Sequence, residues 1–544
     1  MIIDFETASC ADLSKVGTEN YLSHPTTFVL CAGMLKADSS AAVWLHPRVA
    51  ELLPAAWLPG DITVLDTDAM HRLWQQQRHW IAHNAYFDRQ VQEKFFGHAT
   101  FPNQWSCTLA RSAAENLPLS LNAVAWAIDL AQKKDKADAM QAASRLDDFG
   151  DLQVKGDILL ALVMYCIQDL RVTEALHNRL PELSAREKEI WCLDQKINLA
   201  GITADIDFAK RLKVSLAEAE ITLLAEFKAL TGGEVESPRQ IAAFQAWLHK
   251  GGIHVTSCTK QTLEEVLQAP DIGLRPLAKR AIEIRQCLGA SSLAKVDTLL
   301  ATASKTDSRI RGMFQYAGAT STGRWSGRGI QPQNLPREVL DDDEWTEFYA
   351  SAGAGSSKIF ADSKKAIRGL LVAASHHHLV AGDFASIEAR VLAWLAGEQE
   401  VLDAFQAGLD LYKVAAEKIY KVKYNDINAT ERQIGKVAML ALGYQGGVKA
   451  FEAMAKSYGV RVPQAYAEVI VQAWRASRPR TCALWRALNA AAVAAVEAGD
   501  GATPKKCGRL ALAVRKGRLL LRLPSGRFLV YPDPKIVAGD YGRR

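Results

Sequence analysis

The stretch Asp383-Phe384-Ala385-Ser386-Ile387-Glu388-Ala389-Arg390 sets one carboxylate five residues ahead of another. Before it, Leu379-Val380-Ala381-Gly382 reads as a short apolar strand, and from Ile387 onward the residues have helical periodicity. Asp383 is therefore expected where a strand gives way to a helix, a place that holds a metal-binding aspartate rigidly. Read alone, the pattern equally fits a helix-capping aspartate with Glu388 and Arg390 on a solvated face. Further on, Arg432, Lys436, Leu440 and Tyr444 recur at every fourth position. On a helix they form one slowly drifting stripe of two cations, an apolar residue and an aromatic ring. Such a stripe can hold a triphosphate at one end and stack a base or sugar at the other.

Upstream, Thr322-Gly-Arg324-Trp-Ser326-Gly-Arg328-Gly-Ile-Gln-Pro-Gln333-Asn334-Leu-Pro336-Arg337 is polar and rich in Gly and Pro. It reads as a loop by composition, with side chains able to reach phosphates and minor-groove acceptors. A surface loop with incidental arginines would have the same composition. Taken in order, the three segments resemble the primer-template segment and the first two polymerase motifs of the family A (polymerase I-like) DNA polymerases.

That resemblance implies that Asp383 carries the catalytic metals and that Glu388 packs against the incoming sugar. It implies that Arg432 and Lys436 hold the phosphates, that Leu440 lines the nucleotide site, and that Tyr444 lies near the templating base pair. Arg324, Gln333 and Asn334 would contact DNA. The implied partners are a DNA primer-template and deoxynucleoside triphosphates. Phosphoryl transfer asks the protein for positioning and charge neutralisation. An all-oxygen ligand set favours Mg²⁺ or Mn²⁺, with two ions per active site.

The N-terminus carries a second constellation. Ile2-Ile3-Asp4-Phe5-Glu6-Thr7 is strand-like, and alternation puts Asp4 and Glu6 on one side. His83-Asn84-Ala-Tyr-Phe-Asp88 reads as the first turn of a helix after an apolar strand. Tyr165 and Asp169, four apart in a helical segment, share a face. Singly, the Asp-x-Glu pair fits a solvated strand and Tyr165 a packed aromatic. The ordered set Asp4, Glu6, Asp88, Tyr165 and Asp169 resembles the family's 3′-5′ exonuclease domain. By that resemblance the four carboxylates hold two Mg²⁺ ions, Tyr165 orients the attacking water and Asn84 positions the primer end. Clustered carboxylates raise one another's pKa, and bound cations relieve that conflict.

The elements that must position these groups fall into an expected order. The fold class is α/β, with a ribonuclease H-like exonuclease domain over residues 1–183 ending at Leu180-Pro181-Glu182-Leu183. A helical thumb is expected over 184–305, with breaks at Gly201, Gly232-Gly233 and Gly251-Gly252. Palm and fingers follow over 306–544, the fingers at about 398–480, with the palm incomplete at its C-terminal end. From Lys505 to Arg527 there are eight basic residues and no acidic one. The turns at Arg515-Lys516-Gly517-Arg518 and Pro524-Ser525-Gly526-Arg527 predict β-hairpins with a cationic side for phosphates.

At 544 residues, 49% hydrophobic and +5 in net charge, the chain has room for three or four domains and is not disordered. The nine scattered cysteines contain no Cys-x-x-Cys, so neither a zinc ribbon nor a disulfide framework is expected. A reducing cytoplasm fits, bacterial or of a phage-infected host. His376-His377-His378 is expected on an exposed loop, since no second ligand cluster lies near it in sequence. No apolar run reaches the roughly 18 residues of a membrane span, so no membrane partner is expected. With no room for a 5′-nuclease domain before Asp4, phage-type members of the family are the better likeness.

The chain also departs from the family. A third motif, His-Asp-Glu on a palm hairpin, supplies the second essential aspartate, and none follows Tyr444. Asp500, Asp533 and Asp540 lie in turn-like or Pro/Gly-rich contexts. Phe384, Ala389, Leu440 and Gln445 differ from the usual Tyr, Leu, aromatic and Gly, and Leu440 lacks the ring that packs on a sugar. The expected function is a template-directed polymerase with 3′-5′ proofreading in DNA replication, its polymerase activity needing a missing or separate C-terminal segment. The alternative is a 3′-5′ exonuclease alone, its remainder a DNA-binding or assembly module.

Overall fold

The structure is a computed structural model that describes residues 1–131, 146–147, 150–268, 276–289, 292–336, 338–351, 358–539 and 542–543. Arg337 and Asp540, both weighed above, lie outside the described residues. The chain divides into two compact units, Met1–Leu379 and Val380–Arg544.

The first unit opens with a six-stranded sheet of β1 (Ile2–Ala8), β2 (Phe28–Leu35), β3 (Ala41–Leu45), β4 (Ile62–Leu65), β5 (Trp80–Ala82) and β6 (Trp105–Cys107). Their spatial order is β4-β3-β2-β1-β5-β6. β1, β2 and β3 pair antiparallel, whereas β5 lies parallel to β1, β6 to β5 and β4 to β3. Strand alternation sorts β1 between two cores. Ile3 and Phe5 join a cluster with Trp74, Trp80 and Trp105, while Ile2 and Ala8 join Leu159, Leu162, Cys166 and Leu170 on the other face. The Trp80 and Trp105 rings stack at 5.7 Å, and Trp74 meets Trp80 edge-on at 5.9 Å. Burying three such rings is worth several kcal/mol, at roughly 25 cal/mol per Å² of apolar surface.

Two helices complete the N-terminal part that matters here. α1 (Ala85–Phe96) follows β5 directly, and α2 (Gly156–Arg179) lays its apolar stripe over β1 and β2. Beyond them, helices span Ala185–Ala200, Ile206–Leu230, Ile241–Lys250, Lys260–Gln268, Pro276–Leu288 and Ser292–Thr302. The anticipated breaks occur where anticipated: Gly201, Gly232, Gly233 and Gly252 all take positive φ, which ends a helix at little steric cost. Phe208, Phe227 and Phe244 are fully buried between these helices.

Of the Thr322–Pro336 segment, Arg324–Gly327 departs from its expectation as a loop and forms a strand, while the rest is turn or irregular chain. β9 (Phe314–Ala319) and β10 (Arg324–Gly327) pair antiparallel as a hairpin, with Arg324 opposite Ala319 and Gly327 opposite Phe314; the shorter strands β7 (Ile202–Ala204), β8 (Arg309–Ile310) and β11 (Leu371–Val372) form a separate sheet. The hairpin is held from outside itself: Tyr316 and Ala317 are buried in the same cluster as Ile3, Phe5 and Trp191. Tertiary packing overrides a Gly-rich composition here.

The second unit is helical from Ile387 to Ala498, and an antiparallel sheet follows, β12 (Lys505–Cys507), β13 (Leu510–Arg515), β14 (Arg518–Arg522) and β15 (Phe528–Pro532). Lys516 and Gly517 both take left-handed φ, of 50° and 71°, as a two-residue hairpin turn requires. The strand expected at Leu379–Gly382 does not form. The segment is irregular, and Val380 is 95% exposed. A strand needs a hydrogen-bonding neighbour, and no described segment pairs with this one. Among the described residues no helix is long and apolar enough to cross a membrane.

Candidate functional sites

The N-terminal carboxylates converge. Asp4 and Glu6 project from the β1 face covered by α2, and their oxygens and the Cys166 sulfur lie within 4.8 Å of one another. Among the described residues this is the one group of three or more such ligands. Asp88, on the first turn of α1, is 3% exposed. Burial, and then the charge of Asp4, push its carboxyl well above the usual carboxylate range. Tyr165 and Asp169 are buried on α2, one residue before and three after Cys166. A buried carboxyl facing another carboxylate, with oxygen and sulfur donors converging beside them, fits a divalent cation.

Two residues that sequence reasoning passed over shape this cluster. Cys166 is fully buried, and its thiol donates to the Asp4 carbonyl at 3.8 Å. Contact with the Cys31 thiol, burial, and the Asp4 and Glu6 charges push the Cys166 thiol up. Gly33 pairs with Asp4 across β1 and β2. A Cβ at Gly33 would stand 2.7 Å from the Cys166 sulfur and 2.9 Å from Leu170 Cδ1, so the glycine lets α2 settle directly on the acidic strand. The Cys-x-x-Asp spacing of Cys166 and Asp169 was the available signal for the thiol; nothing local marked Gly33.

Asn84 is the left-handed residue (φ 79°) that precedes α1. It lines a small polar cavity with Tyr86, Asp194, Gln195, Asn198 and Arg328. The cavity ties the N-terminal sheet to the hairpin: the Tyr86 hydroxyl donates to the Asn198 carbonyl, and the Asn198 side chain bonds both the Phe314 carbonyl (2.9 Å) and its N–H (2.8 Å). Trp325 Nε1 donates to Asp194 at 2.7 Å, and Arg328 donates to Gln315. Of the expected DNA-contacting groups, Arg324 opens β10 and is exposed. Gln333 and Asn334 are exposed on the short turn Pro332–Asn334, which Lys295 anchors through the Ile330 and Asn334 carbonyls.

In the second unit, Asp383 and Glu388 are exposed, Glu388 in the first turn of α3 (Ile387–Ala396), whose N-cap Ser386 is left-handed. Asp383 therefore lies in irregular chain before a helix instead of at a strand end, and no group of three converging ligands includes it among the described residues. α4 (Ala429–Leu442) carries the cationic stripe and starts with a reciprocal Asn428–Glu431 cap. Arg432 pairs with Asp410 at 2.6 Å and lies over the Tyr412 ring; Lys436 lies 4.8 Å over the Tyr458 ring. Leu440 is half-buried on the helix, while Tyr444 falls two residues past its end and is 67% exposed. The stripe thus holds for three of its four members.

The family model for DNA polymerase family A matches residues 206–492. The DNA polymerase of Bacillus phage SP02 is 30% identical over 555 residues, covering 98% of this chain and 82% of the phage protein. DNA polymerase I of Chloroflexus aurantiacus is 25% identical over 304 residues, covering 52% of this chain but only 29% of its own length. In three dimensions the chain is similar to the POL domain of Pol1 from M. smegmatis, solved in complex with DNA primer-template and dNTP. That likeness has a TM-score of 0.56 at 16% identity and covers 90% of this chain and 76% of that one. The chain belongs to DNA polymerase family A, among its phage-type members.

Proposed function

We propose that this chain copies a DNA template and trims the 3′ end of the primer, the two activities residing in its second and first parts respectively. The observation that carries the trimming activity is the convergence of Asp4 and Glu6 with Cys166 of α2, with the charge of Asp4 acting on buried Asp88. Residues 1–183 form the ribonuclease H-like exonuclease domain, 184–305 the thumb, and 306–544 the palm and fingers. Asp4, Glu6, Asp88 and Asp169 hold divalent cations, Mg²⁺ or Mn²⁺, which when bound neutralise the phosphate and supply a nucleophilic water. Tyr165 orients that water and Asn84 steadies the terminal nucleotide. Unstacked single-stranded ends suit the pocket because they cost less to admit than a paired end.

For synthesis, Arg432 and Lys436 hold the triphosphate, Glu388 and Leu440 border the sugar, and Tyr444 meets the templating pair. Arg324, Gln333 and Asn334 contact the primer-template from the first unit, and Asp383 anchors the metals. The exposed, unpaired Leu379–Gly382 stretch and the isolation of Asp383 support a further reading: synthesis draws a neighbouring strand and a second carboxylate from a separate polypeptide bearing His-Asp-Glu.

Replacing Asp4 and Glu6 together with Ala is expected to abolish Mg²⁺-dependent degradation of a labelled primer while leaving duplex binding intact; retained degradation removes the N-terminal assignment. The isolated chain is expected to extend primers poorly, and to extend them when the His-Asp-Glu polypeptide is added, with the gain lost in Asp383→Ala. Strong extension by the isolated chain refutes the need for a second polypeptide.

A further inference from the structure

We propose that Asp194 is a positioning residue for the primer-template: by taking the indole N–H of Trp325 it fixes that exposed ring beside Arg324, and the ring meets a nucleotide of the bound DNA through an uncharged contact. The inference rests on reading β10 as a face for primer-template. Neither Asp194 nor Trp325 has a part in that reading, which gives the contact on this strand to Arg324 alone.

Three observations support it. Asp194 lies on the helix Ala185–Ala200 and is 2% exposed; one of its oxygens accepts from Trp325 Nε1 at 2.7 Å and the other from Gln195 Nε2 at 3.0 Å. A carboxylate so enclosed is costly unless hydrogen-bonded. Burial pushes the Asp194 carboxyl up, while the Trp325 N–H, the Gln195 amide and the Arg328 charge draw it back. Secondly, the same helix holds both strands of the hairpin. Glu187, Asp194 and Asn198 share one helix face, and they bond the Tyr316 hydroxyl, the Trp325 indole and the Phe314 backbone. Thirdly, Trp325 is 41% exposed although its N–H is fixed. Its chain neighbour Arg324 is exposed, and Gly327 lets Gln333 close on the strand, since a Cβ there would overlap the Gln333 amide nitrogen.

An indole with one edge tied down offers a large, rigid apolar surface, and little conformational entropy is left to lose when a ligand covers it. Nucleotides suit such a surface, because every base presents a π-face and a ring-to-base contact needs no particular sequence. Asp194 acts on the DNA only through Trp325. No counterion is displaced at the indole, so its share of the affinity is independent of salt, whereas that of Arg324 falls as salt rises.

The test follows a labelled primer-template by fluorescence anisotropy against the full 544-residue chain, in chelator to prevent degradation and over a series of salt concentrations. Trp325→Ala should weaken binding about fivefold or more, the low end of what a stacked aromatic contributes, and leave the slope of log affinity against log salt at its wild-type value. Arg324→Ala should instead reduce that slope by about one. Asp194→Ala should weaken binding with the slope unchanged, and should cost nothing further in a Trp325→Ala chain. A loss from Asp194→Ala that adds in full to that of Trp325→Ala refutes the positioning role, and a reduced slope in Trp325→Ala refutes the uncharged contact. Should Asp194→Ala fail to fold, Trp325→Phe decides: it keeps a ring and removes the donated N–H, so part of the loss supports the proposal and wild-type affinity refutes it. Arg324→Ala with wild-type affinity and slope overturns the reading of β10 as a DNA face and this inference with it. A weakened Arg324→Ala beside an unchanged Trp325→Ala overturns this inference alone.

Discussion

Gly33→Ala tests whether the seating of α2 on β1 governs the proposed exonuclease site. The added methyl would lie 2.7 Å from the Cys166 sulfur and 2.9 Å from Leu170 Cδ1, on side chains with no exposed surface. Ordinary contact is about 3.5–4.0 Å, so α2 must lift by about 1 Å or the side chains must leave their rotamers. Overpacking of this kind costs about 1–3 kcal/mol. The lift carries Tyr165 and Asp169 away from Asp4 and Glu6, and a misplacement near 1 Å is worth roughly a hundredfold in rate. Thermal denaturation should show the loss of stability, and degradation of a labelled single strand the loss of activity, while primer-template binding stays near wild type. Adding Cys166→Ala to Gly33→Ala removes one of the two clashes and should return part of the stability, a coupling of about 0.5–3 kcal/mol. A Gly33→Ala chain that melts and degrades DNA like the wild type would refute the reasoning.

Asp88→Asn concerns pH. Because burial and Asp4 raise the Asp88 carboxyl, the folded metal-free chain holds a proton that the unfolded chain has released between the ordinary carboxylate range and the raised value. Stability without metal therefore falls as pH rises through that window, and Asp88→Asn should flatten this fall in melts run with a chelator from mildly acidic to neutral pH; identical profiles would return Asp88 to an ordinary carboxyl. Lys436→Ala should raise the KM for nucleotide in the extension assay with the complementing polypeptide and leave 3′-end degradation unchanged, since the lysine lies on α4 in the second unit. Tyr165→Phe should slow degradation less than loss of a carboxylate does, because it removes orientation of the water and keeps every metal ligand.

Much of the candidate exonuclease site was legible because its signals are local. Alternation put Asp4 and Glu6 on one side of β1, and the β5-to-α1 junction put Asp88 on a first helical turn. The helix breaks at Gly201, Gly232 and Gly252 and the Lys516-Gly517 turn were likewise legible, since positive φ is a property of a residue and its neighbours. What escaped is long-range. The approach of Cys166 to Asp4 joins positions far apart in the chain, and no spacing rule encodes it. Arg324–Gly327, expected within a loop, became a strand because it pairs with Phe314–Ala319, whose Tyr316 and Ala317 find their partners in the first sheet's core. Leu379–Gly382 failed as a strand for the opposite reason: its composition suits a sheet, but no segment among the described residues pairs with it.

The burial of Trp191, Tyr316 and Ala317 among Ile3, Phe5 and Trp105 bears on how this protein can be engineered. Cutting the chain near residue 183 to remove the candidate metal site would strip the cover from an indole and a phenol ring and expose a sticky apolar face on the remaining piece. It would also sever the Tyr86–Asn198 and Asn20–Ala303 hydrogen bonds that cross the cut. The N-terminal part is thus scaffolding for the hairpin as well as the place of the proposed trimming site. The proposed trimming activity is best removed by point substitution at the carboxylates, and a protease that nicks the connection near residue 183 should leave two fragments that still travel together on a sizing column.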